Sequence, residues 1–175
     1  MFSFKKFWSS VWEISEVVII SLVTVFIIRN FLAQPFLVSG ASMEPNISNE
    51  NYLIIDEITY RFREPERGDV IVFRYPNDHS VFFIKRIIGL PGDRVVINRN
   101  TALVFDGEKE IKISGPVNGL VDTVLGENKY FVVGDNRYNS FDSRNWGPIS
   151  RSDIVGIARL RVFPINEFGI IKNGL

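Results

Sequence analysis

Two side chains that could do chemistry together are Ser42 and Lys85. Ser42 lies in the stretch SGASMEP, residues 39–45. Glycine permits tight turns and proline removes a backbone donor, so this stretch predicts an irregular loop rather than a helix or central strand. A serine on such a loop becomes a nucleophile only when a base takes its proton. Without a base, the same residues would be an ordinary turn.

Lys85 is the candidate base, and its surroundings decide whether it can act as one. An ordinary lysine has a pKa of about 10.4 and is charged at neutral pH, whereas burial lowers that pKa. The neighbours of Lys85 are apolar, and alternation along a strand places Lys85 and Arg86 on opposite faces. We therefore expect Lys85 to point inward and Arg86 to face water. The alternative is an exposed strand lysine.

A third stretch, GDNRYNSFDSR at residues 134–144, is dense in short polar groups. A serine hydroxyl can hold a neutral lysine in place without adding charge. A buried Asp142 and a buried Arg144 would need one another. We predict a long functional loop over residues 134–149. The alternative is a solvated loop without a role in chemistry.

The composition excludes several kinds of site. The chain has 175 residues, a net charge of zero, one histidine and no cysteine. The neutral charge gives no electrostatic argument for binding nucleic acid. The absence of cysteine excludes disulfides and a cysteine nucleophile, and a single histidine excludes a multi-histidine metal site. We predict no metal site and no cofactor.

The N-terminal part of the chain contains an apolar stretch that predicts a membrane anchor. Residues 17–28 are apolar except for Ser21 and Thr24, and the stretch taken through residue 33 reaches about 25 Å as a helix. The Arg29 side chain could reach the membrane–water interface with its charged end. Trp8 and Trp12 are suited to the lipid headgroup region at the other end of the helix. We predict one membrane-spanning helix over residues 17–33. A buried core helix and an interfacial helix are the alternatives.

The positive charges predict the orientation of this anchor. Lys5 and Lys6 precede the helix, and no lysine or arginine lies between Gln34 and Tyr60. The positive-inside rule therefore predicts a cytoplasmic segment at residues 1–16 and an extracytoplasmic domain at residues 34–175. A cleaved signal peptide is the rival interpretation, but its only plausible cut, after residue 33, would place bulky Phe31 where a small residue is needed.

The rest of the chain predicts an all-β domain, because short β-branched and aromatic runs alternate with Gly/Pro turns. The predicted strands cover residues 52–55, 69–75, 81–88, 94–98, 101–105, 110–113, 129–133 and 154–163.

Together these stretches resemble type I signal peptidase, the bacterial leader peptidase. The resemblance covers almost the whole chain and rests on the anchor, residues 42–45, residues 67–73, residues 85–93 and residues 134–144. It implies that Ser42 is the nucleophile, that Lys85 is the general base, and that Ser140 orients Lys85. It also implies that Asp142 and Arg144 form a supporting ion pair.

The sequence departs from the family pattern at three positions near these residues, one of which is Asn46, where threonine is usual. Some members carry, two positions before the nucleophile, a serine whose hydroxyl helps to bind the oxyanion. That position is Gly40 here, which leaves the second oxyanion donor unassigned. Tyr138 stands where the family often has aspartate.

The resemblance also implies a fold and a substrate. The fold would be a mainly antiparallel, barrel-like β domain behind one transmembrane helix. Phe36, Val38 and Ile84 match positions that line pockets for small residues, so exported preproteins would be cleaved after Ala-X-Ala. The protein would be a monomeric, cofactor-free enzyme of the cell membrane that contacts the lipid bilayer.

Two rival functions share some of these features. A self-cleaving repressor also uses a Ser-Lys dyad, but Ser42 lies too near the N-terminus to leave room for a DNA-binding domain. A catalytically inactive, membrane-anchored protein that binds preproteins is the second rival. Retention of both Ser42 and Lys85 argues against it.

Overall fold

The computed structural model describes residues 4–27, 33–98, 101–115 and 117–174. The helices are α1 (Phe4–Ile27) and α2 (Ser143–Trp146), and short 3-10 turns cover Thr59–Arg61, Arg151–Asp153 and Ile165–Glu167. The strands are β1 (Ala33–Leu37), β2 (Tyr52–Asp56), β3 (Val70–Tyr75), β4 (Asp78–Gly89), β5 (Arg94–Asn98), β6 (Thr101–Asp106), β7 (Lys109–Ile113), β8 (Leu120–Val124), β9 (Lys129–Val133), β10 (Ile149–Ser150), β11 (Ile154–Phe163) and β12 (Gly169–Ile170).

In this described part of the chain the strands form two antiparallel sheets. The larger has the order β1-β2-β11-β3-β4-β9-β10, with β12 paired to β11, and the smaller has the order β7-β6-β5-β8. The predicted mainly antiparallel β architecture is therefore confirmed. Strands β1, β8, β10 and β12 were not expected from the sequence. Two of them contain only two residues each, and β8 exposes alternate side chains at the edge of its sheet.

The N-terminal helix differs from its predicted range at both ends. It begins at Phe4, since a helix needs no apolar run to form its backbone hydrogen bonds. Ala33 already belongs to β1 and pairs with Asp56, and the following proline at position 35 favours an extended backbone before it. Within the described residues, no helix combines the length and apolar character that a membrane crossing requires. The predicted interfacial role of Arg29 lies outside the described residues.

The centre of the larger sheet is covered on both faces. Val70 and Val72 of β3 pack into one buried cluster, whereas Ile71 and Phe73, which alternate with them, pack into another. This double burial corrects the expectation for Arg86, which is only 5 % exposed. Alternation does put Arg86 on the face opposite Lys85, but that face is covered as well.

Candidate active site

The loop between β1 and β2 holds Ser42 at a fixed place. The residue next to it, Met43, is buried, and so is Ile47, whose N–H donates to the Met43 carbonyl at 2.9 Å. Both side chains belong to the same core cluster as Leu53 of β2. Ser42 itself is half-buried, so its hydroxyl lies at the surface of a well-packed loop.

Lys85 lies in the middle of β4 and reaches this hydroxyl. Its side chain is buried, and its Nζ lies 2.7 Å from Ser42 Oγ and 2.9 Å from the Ile84 carbonyl oxygen. Nζ also lies 5.4 Å from the centre of the Phe83 ring. The structure therefore brings together the two residues that the sequence singled out, in a geometry that allows proton transfer between oxygen and nitrogen.

The surroundings of Lys85 make its neutral form more accessible than that of an ordinary lysine. Burial lowers the pKa of Lys85 to about 8, although the negative charges of Asp142 and Asp135 oppose this shift. Proximity to these carboxylates was not foreseen, because they come from the segment of residues 134–144 rather than from the strand. Burial is the stronger effect, since each carboxylate is already paired with an arginine.

The segment after β9 contains the three other predicted residues. Asp142 is fully buried and accepts two hydrogen bonds of 2.7 Å from the Arg144 guanidinium. Asp142 also caps α2 by accepting from the Arg144 backbone N–H and accepts from the Gly134 N–H. The predicted long loop thus contains a short helix. The buried Ser140 Oγ makes no hydrogen bond within the described residues.

Gly134 lies where this segment packs against the nucleophile loop. A Cβ atom placed on Gly134 would come closer than 3.0 Å to Ser140 Oγ and to the Ser42 carbonyl oxygen. Asn136 links the two segments by two hydrogen bonds. Its backbone N–H donates to the Ser42 carbonyl at 3.0 Å, and its side-chain amide donates to the Ala41 carbonyl at 3.1 Å. The absence of a side chain at position 134 is therefore a requirement of this packing.

Gly40 lies at the edge of the site in a left-handed conformation, with φ of 100°. Its N–H donates to the Asn49 side chain at 2.8 Å, so this N–H is already occupied. The Ser42 N–H donates no hydrogen bond within the described residues. Of these two backbone groups, only that of Ser42 is available to an incoming oxygen.

A groove of about 300 Å³ leads to Ser42 and Lys85 between β1 and β4. Phe36, Val38 and Ile84 all line it. The rings of Phe36 and Phe82 pack edge to face, with their centroids 5.6 Å apart. Among the described residues, β1 pairs only with β2, and β4 pairs with β9 only from Arg86 onward. The edges of β1 and of residues 80–84 that border the groove therefore have no strand partner.

One contact beside the candidate site was missed from the sequence altogether. Arg86 and Asp135 form a buried ion pair, with Nε–Oδ1 and Nη2–Oδ2 distances of 2.7 Å. Arg86 also donates to the carbonyl oxygens of Gly68, Lys172 and Gly174. The pair ties β4 to the segment that contains Ser140. Nothing in the local sequence of either residue points to the other.

Comparison with known proteins agrees with the resemblance seen in the sequence. The family described as "Signal peptidase, peptidase S26" matches residues 11–163. The chain therefore belongs to the signal peptidase family, peptidase S26, and the predicted family membership is confirmed. Members of this class are serine endopeptidases, and this chain is one of them.

Individual relatives match over most of their length. The probable signal peptidase I-2 of Synechocystis sp. is 34 % identical over 169 residues, covering 92 % of this chain and 77 % of the relative. Signal peptidase I S of Bacillus subtilis is 35 % identical over 174 residues, covering 90 % and 92 %. A crystal structure of a signal peptidase I from Enterococcus faecalis is 28 % identical, with a TM-score of 0.44 over 54 % of this chain and 97 % of that one.

Proposed function

We propose that this protein removes N-terminal signal peptides from exported preproteins with Ser42 as nucleophile and Lys85 as general base. The observation that carries the proposal is the 2.7 Å contact between Ser42 Oγ and Lys85 Nζ in a buried setting. A neutral Lys85 takes the Ser42 proton as the oxygen attacks the scissile carbonyl, and an acyl-enzyme forms. Lys85 gives this proton to the leaving amine, so the mature protein departs when the acyl-enzyme forms. Lys85 then activates the water that hydrolyses the ester and releases the signal peptide.

The remaining site residues have supporting roles in this proposal. The Ser42 N–H, which has no partner among the described residues, donates to the developing oxyanion, because such donors act where negative charge appears in the transition state. Ser140 orients Lys85 when substrate fills the groove, and the Asp142–Arg144 pair holds the segment that carries Ser140. Gly40 gives the loop its left-handed turn and supplies no oxyanion donor, since its N–H is bound to Asn49.

The groove supports a strand-shaped substrate. The unpaired edges of β1 and β4 offer backbone donors and acceptors to an extended peptide, whose alternate side chains would enter pockets. Phe36, Val38 and Ile84 narrow the pocket volume near the dyad, which favours small residues such as the alanines of Ala-X-Ala.

We also propose that residues 17–33, which begin within α1, anchor the enzyme in the membrane, with residues 1–16 in the cytoplasm and residues 34–175 outside. Lys5 and Lys6 lie on the cytoplasmic side in this arrangement. Exposed apolar side chains on α1, such as Val17 at 65 % and Leu22 at 65 %, would contact lipid. Protease added to spheroplasts should then digest the C-terminal domain and spare a tag placed before Met1.

Cleavage of a preprotein by the purified full-length protein tests the dyad. Ser42→Ala, Lys85→Ala and their double variant should be equally inactive, because residues that act as a unit are not additive. Lys85→Arg should also be inactive, since arginine stays protonated. Lys112→Ala, at an exposed strand lysine, is the matched control and should keep full activity. Activity in Lys85→Arg would contradict the role of Lys85 as base, and an inactive wild-type protein would favour a binding-only homologue.

A further inference from the structure

A second cavity, of about 990 Å³, lies beside the proposed catalytic groove and shares no lining residue with it. Its walls come from residues 44–46 of the nucleophile loop, residues 135–138, residues 114–115 after β7 and residues 170–174 near β12. The peptidase mechanism uses none of this space. Arg86, Asp135 and Asn136 in its wall also hold the segments of the candidate active site together, so the cavity lies behind that site but takes no part in the proposed cleavage step.

The side chain of Arg137 in this cavity has an unsatisfied guanidinium group. Its Nε and Nη1 atoms are buried and have no hydrogen-bond partner within the described residues. Burial lowers the pKa of Arg137, because it disfavours the charged form of the guanidinium. A buried cation without a partner is unfavourable, so the folded protein gains if an anion reaches it.

The carboxylates near Arg137 are already engaged. Asp135 is held by two hydrogen bonds of 2.7 Å from Arg86, and Asp142 is held by two of 2.7 Å from Arg144. Each acid thus neutralises another arginine. The charge of Arg137 is the one left over in this group of three arginines and two aspartates.

The other charged side chains of the cavity wall add to this positive excess. The wall contains four basic residues, Arg86, Arg137, Arg161 and Lys172, and two acidic residues, Glu44 and Asp135. Arg161 pairs with Glu167 at 3.0 Å, but Lys172 forms no ion pair in the described part of the chain. Two cations in the wall therefore lack a carboxylate partner.

We propose that this cavity binds a phosphate group, with Arg137 as its main ligand and Lys172 as a second contact. A phosphate carries more charge than a carboxylate and accepts from a planar guanidinium, which suits two unpaired cations. Ser114 adds a hydroxyl to the wall. The cavity is larger than one phosphate, and Tyr138 and Ile170 in its wall are exposed, so the group can belong to a free ion or to a lipid headgroup.

Thermal unfolding of the full-length protein in a phosphate-free, non-ionic detergent tests the site. Sodium phosphate at tenfold its Kd should raise the Tm of the wild-type protein by about 3–6 °C relative to sodium chloride at equal ionic strength. Arg137→Gln should abolish the rise. Arg61→Gln, at an exposed arginine outside the cavity, is the matched control and should keep it.

Without phosphate, Arg137→Gln should unfold at no lower temperature than the wild-type protein, because it removes an unpaired buried charge. A clear loss of Tm in this variant would show that Arg137 is satisfied by the protein itself and would overturn the proposal. Lys172→Gln, at an exposed position, tests the second contact independently. That variant should need several-fold more phosphate for the same rise, and an unchanged response would overturn the proposal.

Flotation with vesicles separates the two sources of phosphate. A response to inorganic phosphate that depends on Arg137 supports a site for the free ion. Stronger flotation with phosphatidylglycerol than with phosphatidylcholine, lost in Arg137→Gln and without a response to inorganic phosphate, supports a headgroup site. Equal behaviour of the wild-type protein and Arg137→Gln toward both probes would overturn the proposal, as would the absence of any wild-type response.

Discussion

Arg86 and Asp135 form a side-on ion pair, and this pair connects the strand that carries Lys85 to the segment that carries Ser140. Both partners are buried, with side-chain exposures of 5 % and 6 %. Lys85 and Arg86 are neighbours on β4 that point to opposite faces, so one residue contacts the nucleophile while the next fixes the opposite side of the strand.

Removing one partner of this pair should destabilise the protein. Asp135→Asn leaves the Arg86 charge buried without a counter-ion, which costs about 3–5 kcal/mol in the free energy of unfolding. Urea denaturation of the full-length protein measures this change. Asp122→Asn breaks the exposed pair with Arg94 and is the control, with little expected effect. Equal losses in both variants would contradict the role of burial.

The rate of preprotein cleavage should depend on the protonation of Lys85. Since burial lowers the pKa of Lys85 to about 8, kcat/KM should rise with pH through about 8 and level off above it. Rates measured between pH 6 and 10.5 on one preprotein check this expectation. A rate that still climbs near pH 10.5 would show that Lys85 is solvated and would remove it as the base.

The same lysine should make stability depend on pH. A depressed pKa means that the unfolded chain binds the proton more readily, so the free energy of unfolding should rise as pH increases from about 8 to about 10.5. Below pH 8 the full penalty of the buried charge is present. Lys85→Met cannot titrate and should lack this rise. Parallel curves for the wild-type protein and Lys85→Met would contradict the assignment.

A methyl group at position 134 should separate the parts of the site. Gly134→Ala places a Cβ against Ser140 Oγ and the Ser42 carbonyl, and packed atoms at such distances must move apart. Preprotein cleavage should fall at least tenfold, since small displacements of reacting groups are costly. Gly126→Ala is the control, because its nearest contact would be Lys129 Cγ at 3.9 Å. Unchanged activity in Gly134→Ala would contradict this role.

Enlarging the groove should relax the preference for small residues. Ile84→Ala removes side-chain volume from the wall, so the ratio of cleavage rates for valine and alanine substrates should increase by about tenfold. Competition between two synthetic preproteins measures that ratio. Ile165→Ala, at an 80 % exposed position outside the groove, should leave it unchanged. The same ratio in both variants would exclude Ile84 from substrate selection.

The sequence predicted the parts of the molecule that depend on local pattern. Lys85 and Ser42 could be singled out because each has distinctive neighbours, and the main strands could be placed from alternation and turns. The burial of Arg86 could not be predicted, because the sequence of a strand does not show whether other elements cover its second face. The Arg86–Asp135 pair and the lack of a partner for Arg137 among the described residues both depend on contacts between distant segments. No local sequence pattern contains such contacts.

The two unpaired strand edges beside the groove also affect how the protein behaves in concentrated solution. An open edge is a template that a strand of another molecule can join. Pro35 protects β1 in part, because proline lacks an N–H, but residues 80–84 of β4 contain no proline. Self-association should therefore begin at β4, and a short peptide bound in the groove should keep the protein soluble by occupying the edge that a second copy would use.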